Sequence, residues 1–202
     1  MNFHPKREFD QLRREMVEKV IVARGVRSEL VLDAMRSVSR EDFLPEQLRE
    51  FAYEDAPLPI EQNQTISQPY IVAFMTEALG LHGGERVLEI GAGSGYAAAI
   101  LSKIAEEVYT VERIGQLAEK AASRLADLGY HNVHVLHGDG TKGWPVHAPY
   151  DGIIVAAGGP SIPESAQGRR TARHSGGPRC QGSGACSRQP GFGQRIRARG
   201  PG

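Results

Sequence analysis

Residues 86–96, with the sequence R-V-L-E-I-G-A-G-S-G-Y, decide the fold of this chain. A short apolar run leads into three alternating glycines, and the segment from Tyr96 to Ile104 then has the composition of a helix. Glycines between a strand and a helix let the backbone approach a ligand closely, and the start of the helix offers free N–H groups. The stretch therefore predicts a strand, a ligand-binding turn and a helix.

The segments that follow alternate in the same way. The apolar runs predict strands at 107–112, 133–139 and 151–157, and an Ala-rich helix at 116–128 that ends at Gly129. Strands that alternate with helices form parallel sheets with right-handed crossovers. We therefore predict the α/β fold class, with a parallel sheet.

Upstream of residue 86, apolar residues recur at helical spacing. They predict helices from Phe9 to about Gly25, at 28–37 and at 70–79. Residues 40–69 have no sustained period, and a loop of this length in a compact domain is often functional. We divide the chain into an N-terminal helical and active-site-loop region, an α/β core and a tail, at residues 1–80, 81–160 and 161–202.

Polar residues at the predicted strand ends indicate a ligand site. A dinucleotide motif G-x-G-x-x-G would need glycine where Tyr96 stands, which disfavours nicotinamide or flavin without excluding them. Glu112 ends the next strand and can accept hydrogen bonds from both ribose hydroxyls of a nucleoside, or it is a solvated charge. Asp139 could accept a hydrogen bond from an adenine amino group, or it belongs to an Asp-Gly turn. Open α/β sheets bind ligands at these carboxyl ends.

The segment Gln64-Thr65-Ile66-Ser67-Gln68-Pro69 carries two hydroxyls and two amides just before a predicted helix. It could bind a ligand, or it could cap that helix. Spacing alone identifies no nucleophile–base pair. Residues His131, His134 and His137 point to different faces of the predicted strand, so we predict no metal site.

Several segments together resemble the protein-L-isoaspartate O-methyltransferase family. They are A-Y-E-D-A-P-L-P-I, Q-T-I-S-Q-P-Y, R-V-L-E-I-G-A-G-S-G-Y, H-N-V, H-G-D-G and D-G-I-I-V-A-A, with R-E-D-F-L-P further upstream. The glycine turn alone resembles the broad class of S-adenosylmethionine-dependent methyltransferases, and the Q-T-I-S-Q-P segment narrows the resemblance to this family. The resemblance extends over residues 8–164.

The resemblance implies a Rossmann-like methyltransferase sheet with N-terminal helices and S-adenosyl-L-methionine as cofactor. It implies methyl transfer to the α-carboxylate of L-isoaspartyl residues in damaged proteins and peptides, for protein repair. Ser67 matches the active-site serine of the family. The residues that match cofactor-binding positions are Thr65, Ile66, Ser67, Val72, Glu89, Gly91, Gly93, Gly95, Glu112, Asp139 and Gly140. Two alternatives stay open: another S-adenosylmethionine-dependent methyltransferase, or a cofactor-binding relic without catalysis.

The neutral total charge, 24 basic against 24 acidic residues, joins two unlike parts. Residues 1–160 carry 16 basic and 23 acidic side chains, and residues 161–202 carry eight arginines and one acid. An acidic body disfavours electrostatic binding to nucleic acid or to anionic membranes. No apolar run approaches the roughly 18 residues of a membrane span, and the polar start is unlike a signal peptide. We therefore expect a cytoplasmic protein without nucleic-acid or membrane partners, and a monomer.

After Glu164 the resemblance stops, and the last strands of the family are missing. The Arg/Gly-rich sequence predicts a disordered tail. A frameshift is the other explanation. When the codons permitted from Gly168 onward are read one base later, the sequences that they can encode include D-G-G-R-L-V-I-L-V-V-P-V. This reading closely resembles the missing glycine turn and strand. Without that strand, segment 151–157 would form an exposed apolar edge, and we expect poor stability or aggregation, and with it loss of activity.

Overall fold

The structure, a computed structural model, describes residues 5–157 and 170–173. Its α-helices are α1 (Pro5–Met16), α2 (Glu29–Ser37), α3 (Pro69–Leu79), α4 (Tyr96–Ser102) and α5 (Gly115–Asp127). Its strands are β1 (Leu58–Pro59), β2 (Thr65–Ile66), β3 (Arg86–Ile90), β4 (Glu107–Glu112), β5 (Val133–His137), β6 (Gly152–Val155) and β7 (Arg170–Arg173). The α/β fold class predicted from the sequence is confirmed.

The main sheet has five parallel strands in the order β5-β4-β3-β6-β7. The chain enters at β3, continues outward through β4 and β5, and then returns to the other side of β3 to form β6. Its direction of winding therefore reverses between β3 and β6. In sheets of this kind, the crevice at the carboxyl ends of the strands on either side of this point is the usual ligand site.

Helices cover one face of the sheet and form the larger core. Strands β3, β4 and β6 are almost wholly buried, which explains why they read as continuous apolar runs rather than alternating ones. The larger cluster includes Ile100, Leu101 and Leu125 from α4 and α5. A second cluster on the opposite face contains Tyr109 and Tyr150, with Trp144 packed against it.

The N-terminal helices also follow the predicted pattern. Helix α1 continues into a π-helical segment, Val17–Val22, and the chain leaves it at Gly25, whose φ is 102°. Helix α2 begins where the carboxylate of Glu77 accepts hydrogen bonds from the backbone N–H groups of Arg27 and Ser28. This side chain from α3 satisfies donors that the helix start leaves without intrahelical partners.

Three predictions of local structure need correction. Residues 40–69 are not one irregular loop: they contain three 3₁₀ segments and the antiparallel pair β1–β2. The third strand of the sheet ends at His137, two residues earlier than predicted. Strand β6 is not a sheet edge, because Arg170–Arg173 pairs with it in parallel. The backbone of residues 170–173 pairs with β6 although the composition of this segment is not typical of a strand. The rest of the predicted disordered tail lies outside the described residues.

Candidate functional site

The glycine turn joins β3 to α4 at the reversal point of the sheet. Residues Gly91, Gly93 and Gly95 all have positive φ, at 97°, 53° and 91°. Gly91 also meets the segment after β6, because a Cβ added to it would lie 2.7 Å from the Cβ of Ala157. A side chain at this position would separate the ends of β3 and β6. The turn therefore depends on glycine for both its conformation and its close packing.

Glu112 lies at the end of β4 and faces this turn. Its Oε2 accepts a hydrogen bond from the N–H of Gly93 at 3.0 Å, and its Oε1 accepts one from the N–H of Ile114 at 2.9 Å. The residue is only 7% exposed, so the alternative of a solvated charge is wrong. A carboxylate oxygen can accept more than one hydrogen bond. Glu112 is thus held in a fixed orientation and keeps capacity for two hydroxyl donors.

Glu89 lies inside the sheet, one strand away. Its Oε2 accepts a hydrogen bond from the hydroxyl of Thr110 at 2.6 Å, and its Oε1 has no partner among the described residues. Complete burial raises the pKa of Glu89 to about 8; the Thr110 hydrogen bond opposes the shift and the charge of Glu112 adds to it. A carboxyl group with this pKa is mostly protonated at neutral pH. The unpartnered oxygen is a buried polar group that a ligand donor could satisfy.

Asp139 and Gly140 lie after β5. The Oδ1 atom of Asp139 accepts hydrogen bonds from the N–H and the hydroxyl of Thr141, at 3.0 and 2.8 Å, and these bonds lower its pKa. The Asp-Gly turn suggested by the sequence is therefore present, and Oδ2 lies outside these bonds. Gly140 packs on the end of β3, since an added Cβ would lie 2.5 Å from Cγ2 of Ile90. The ends of β3 and β5 are thereby brought together.

The β1–β2 pair carries the Q-T-I-S-Q-P segment to the glycine turn. Ile60, just after β1, lies 3.8 Å from the position that a Cβ on Gly93 would occupy. In the same pair Thr65 is exposed and Ile66 is buried, and Ser67, just after it, is partly exposed. Two segments separated by about thirty residues in sequence thus meet, which no spacing in the sequence indicated. Val72, by contrast, is fully buried in the core cluster and has no exposed surface.

The segment does not cap α3, as one interpretation of the sequence suggested. Gln68, the residue just before this helix, makes no side-chain capping hydrogen bond, and the carboxylate of Asp55 instead accepts a hydrogen bond from the N–H of Tyr70 at 3.0 Å. Asp55 also accepts a hydrogen bond from the side-chain amide of Gln68 at 2.7 Å. Arg40 donates to the carbonyl of Ser67 at 3.1 Å. Neither Asp55 nor Arg40 has a role assigned from the sequence, although the segments A-Y-E-D-A-P-L-P-I and R-E-D-F-L-P contain them.

These features fit a nucleoside ligand that carries a further hydrogen-bond donor. An oriented carboxylate at the end of the second strand suits a ribose, and the glycine turn leaves room for close approach. The unpartnered oxygen of Glu89 could accept a hydrogen bond from an ammonium group. Among the described residues there is no group of three or more His, Cys, Asp or Glu side chains that could hold a metal ion.

A family model described as protein-L-isoaspartate(D-aspartate) O-methyltransferase (PCMT) matches residues 11–168. This chain belongs to the protein-L-isoaspartate(D-aspartate) O-methyltransferase family. The resemblance seen in the sequence is thereby confirmed. The sites described above occupy the matched residues, while most of the Arg/Gly-rich segment lies beyond them.

Individual relatives agree with the family model. Protein-L-isoaspartate O-methyltransferase 1 of Rhodopseudomonas palustris (strain HaA2) is 66% identical over 157 residues, which are 78% of this chain and 64% of that protein. A solved protein-L-isoaspartate O-methyltransferase is 34% identical, with a TM-score of 0.70, over 79% of this chain and 54% of that one. The chain therefore spans less than two thirds of the length of these two family members.

A more distant structure shows the same fold. It is a Plasmodium falciparum protein described as a putative protein-L-isoaspartate O-methyltransferase in complex with S-adenosyl-L-homocysteine. It is 21% identical and superposes with a TM-score of 0.64, over 81% of this chain and 84% of that one. At this identity the likeness concerns the fold alone. The Rossmann-like methyltransferase sheet expected from the sequence is confirmed.

Proposed function

We propose that this chain binds S-adenosyl-L-methionine at the glycine turn and transfers its methyl group to the α-carboxylate of L-isoaspartyl residues. The substrates would be damaged proteins and peptides, and the methyl ester would begin their repair. The single observation that carries this proposal is the approach of Ile60 to Gly93, because the N–H of Ile60 donates to the carbonyl of Gln64, at the start of the segment that contains Ser67. Membership of the family supplies the reaction class.

The geometry supports the following cofactor-binding roles. Glu112 would accept the two ribose hydroxyls, since its carboxylate is already oriented by Gly93 and Ile114. Asp139 would receive the adenine amino group on Oδ2. Gly91, Gly93, Gly95 and Gly140 would allow the backbone to approach the ligand. The contacts of Thr65, Ile66, Val72 and Glu89 with the cofactor stay predictions.

The chemistry asks little of the protein beyond positioning. When bound, the cofactor supplies a methyl group that its sulfonium already activates. The isoaspartyl α-carboxylate has a pKa of roughly 3.5, like a chain terminus, so it is ionised at neutral pH and needs no general base. Holding the two groups in line and excluding water can supply most of the rate acceleration. We assign Ser67 the role of hydrogen-bond donor to the substrate carboxylate, rather than that of a covalent nucleophile.

The test is labelled methyl transfer from S-adenosyl-L-methionine to an isoaspartyl peptide, with the aspartyl twin peptide as control. The full chain should label only the isoaspartyl peptide. Ser67→Ala should lower kcat/KM about tenfold to a hundredfold, the loss expected for one hydrogen bond to a charged group. Cofactor affinity, measured by calorimetry, should stay within a factor of about three, since Ser67 is assigned to the substrate.

Other outcomes would lead to other conclusions. Equal labelling of both peptides would favour a different S-adenosylmethionine-dependent methyltransferase. Cofactor binding without transfer would indicate a non-catalytic relic. Unchanged turnover in Ser67→Ala would remove Ser67 from the mechanism.

Within the described ranges, none of the helices has the length and apolar character that a bilayer crossing requires. The cytoplasmic location, the monomeric state and the lack of nucleic-acid partners stay predictions.

A further inference from the structure

Arg40 is a buried cation that the proposed reaction does not use. It belongs to the 3₁₀ segment Arg40–Phe43 and has no exposed surface. No carboxylate of the described residues lies within ion-pairing distance of its guanidinium, and its Nε has no hydrogen-bond partner there. Burial lowers its pKa from the usual value for arginine. Burying a charge without an ion pair costs several kcal/mol, so such a residue is expected to have a specific task.

The guanidinium donates its hydrogen bonds only to backbone carbonyls. Nη1 donates to the carbonyl of Ala52, and Nη2 donates to those of Ala56 and Ser67, at 3.3 and 3.1 Å. These acceptors lie 12, 16 and 27 residues further along the chain. One planar group therefore joins the 3₁₀ segment, the turn at residues 52–56 and the residue proposed to hold the substrate. The rigid fork of arginine is suited to several acceptors at once.

The turn at residues 52–56 holds the same loop from its other side. Asp55, inside this turn, accepts the hydrogen bonds from the side chain of Gln68 and from the N–H of Tyr70. Arg40 thus acts on the loop twice: directly at Ser67, and through the turn that presents Asp55. The guanidinium carbon also lies 5.7 Å from the centre of the Tyr96 ring, at the start of α4. Arg40 therefore lies between the substrate loop and the first residue of α4.

We infer that Arg40 is a positioning residue, which fixes the backbone at Ser67 and thereby the direction of the Ser67 hydroxyl. The expected effect on activity rests on the proposed methyl transfer. The expected effect on the backbone at Ser67 does not.

The test compares two variants of Arg40 with a matched control. Arg40→Lys keeps the positive charge and loses the planar, forked set of donors. Arg40→Gln removes the buried charge, so it serves as the second variant if Arg40→Lys does not fold. Arg27→Lys is the control, because the guanidinium of Arg27 also donates to backbone carbonyls, those of Val22 and Val26, and makes no hydrogen bond to residues 52–56 or 65–70 among the described residues. Backbone hydrogen exchange of residues 65–70 is the first readout, referred to the exchange of β3 and β4 in the same protein.

We expect exchange at residues 65–70 to accelerate about tenfold or more in both Arg40 variants, and no such local change in Arg27→Lys. In methyl transfer, kcat/KM for the isoaspartyl peptide should fall about tenfold to a hundredfold in both Arg40 variants, with the cofactor Kd within a factor of about three. Arg27→Lys should keep its kcat/KM at a temperature where it is folded.

The outcomes separate this inference from the proposed function. Unchanged local exchange in both Arg40 variants, or the same acceleration in Arg27→Lys, would overturn it. Normal exchange and turnover in Arg40→Lys with losses only in Arg40→Gln would also overturn it, because the charge rather than the fork would then matter. A wild-type chain without methyl transfer would defeat the proposed function, and the exchange experiment would still decide the role of Arg40.

Discussion

Replacing Gly91 with alanine tests whether the ends of β3 and β6 meet as closely as described. Two costs are expected. The φ of 97° is unfavourable for a residue with a side chain, by about 1–2 kcal/mol. The added methyl would also lie 2.7 Å from the Cβ of Ala157 and 3.1 Å from its backbone nitrogen. Overpacking of this kind costs about 1–3 kcal/mol, so the expected total is about 2–5 kcal/mol.

Gly83 provides a matched control for the first cost. Its φ is 96°, almost the same as that of Gly91, but the nearest atom to an added Cβ is the carbonyl oxygen of Ile104 at 3.9 Å. Gly83→Ala should therefore lose only the backbone contribution, about 1–2 kcal/mol. The difference between the two variants, about 1–3 kcal/mol, measures the contact between the two strand ends.

Urea and thermal unfolding of the two variants and the wild type would measure these losses. For a chain of this size each kcal/mol lowers Tm by about 2–4 °C, so Gly91→Ala should melt roughly 2–12 °C below Gly83→Ala. Cofactor affinity should fall in Gly91→Ala and stay unchanged in Gly83→Ala. Equal unfolding free energies for the two variants would refute the reasoning, since the approach of Ala157 to the turn would then cost nothing.

Two further predictions concern the carboxylates near the turn. Glu112→Gln should weaken cofactor binding at least about tenfold, measured by calorimetry. The reason is that an amide nitrogen would replace one of the two oxygens that each accept a hydrogen bond from a backbone N–H. An affinity equal to that of the wild type would contradict this role. Glu89 has a pKa raised from 4.5 to about 8 in the folded protein, so the native state binds more protons than the unfolded state between these values. The free energy of unfolding should therefore fall as pH rises from about 5 to about 8, and Glu89→Gln should flatten this slope; identical slopes in urea titrations would contradict the burial argument.

The sequence alone predicted most of the sheet. Strands β3, β4 and β6 are buried on both faces, and such strands produce apolar runs that are visible without any partner. The positive φ values of the glycine turn were likewise implied by glycine at alternate positions. The strand boundaries were predicted less accurately, because the end of a strand depends on where the neighbouring strand stops. The pairing of Arg170–Arg173 with β6 could not be foreseen, since its composition is not that of a strand.

In the candidate site, too, the sequence predicted some features and only the tertiary structure showed others. Local pattern was sufficient to select the glycine turn, Glu112 and Asp139 as candidates, because each lies at or just after the end of a strand, and parallel strands end at one edge of the sheet. Only the tertiary structure showed that Ile60 reaches Gly93, that Glu89 is wholly buried and that Arg40 joins three distant carbonyls. These facts arise from contacts between residues far apart in the chain. Periodicity and spacing report on neighbours along the backbone, whereas burial and hydrogen-bond partners are decided when the chain packs.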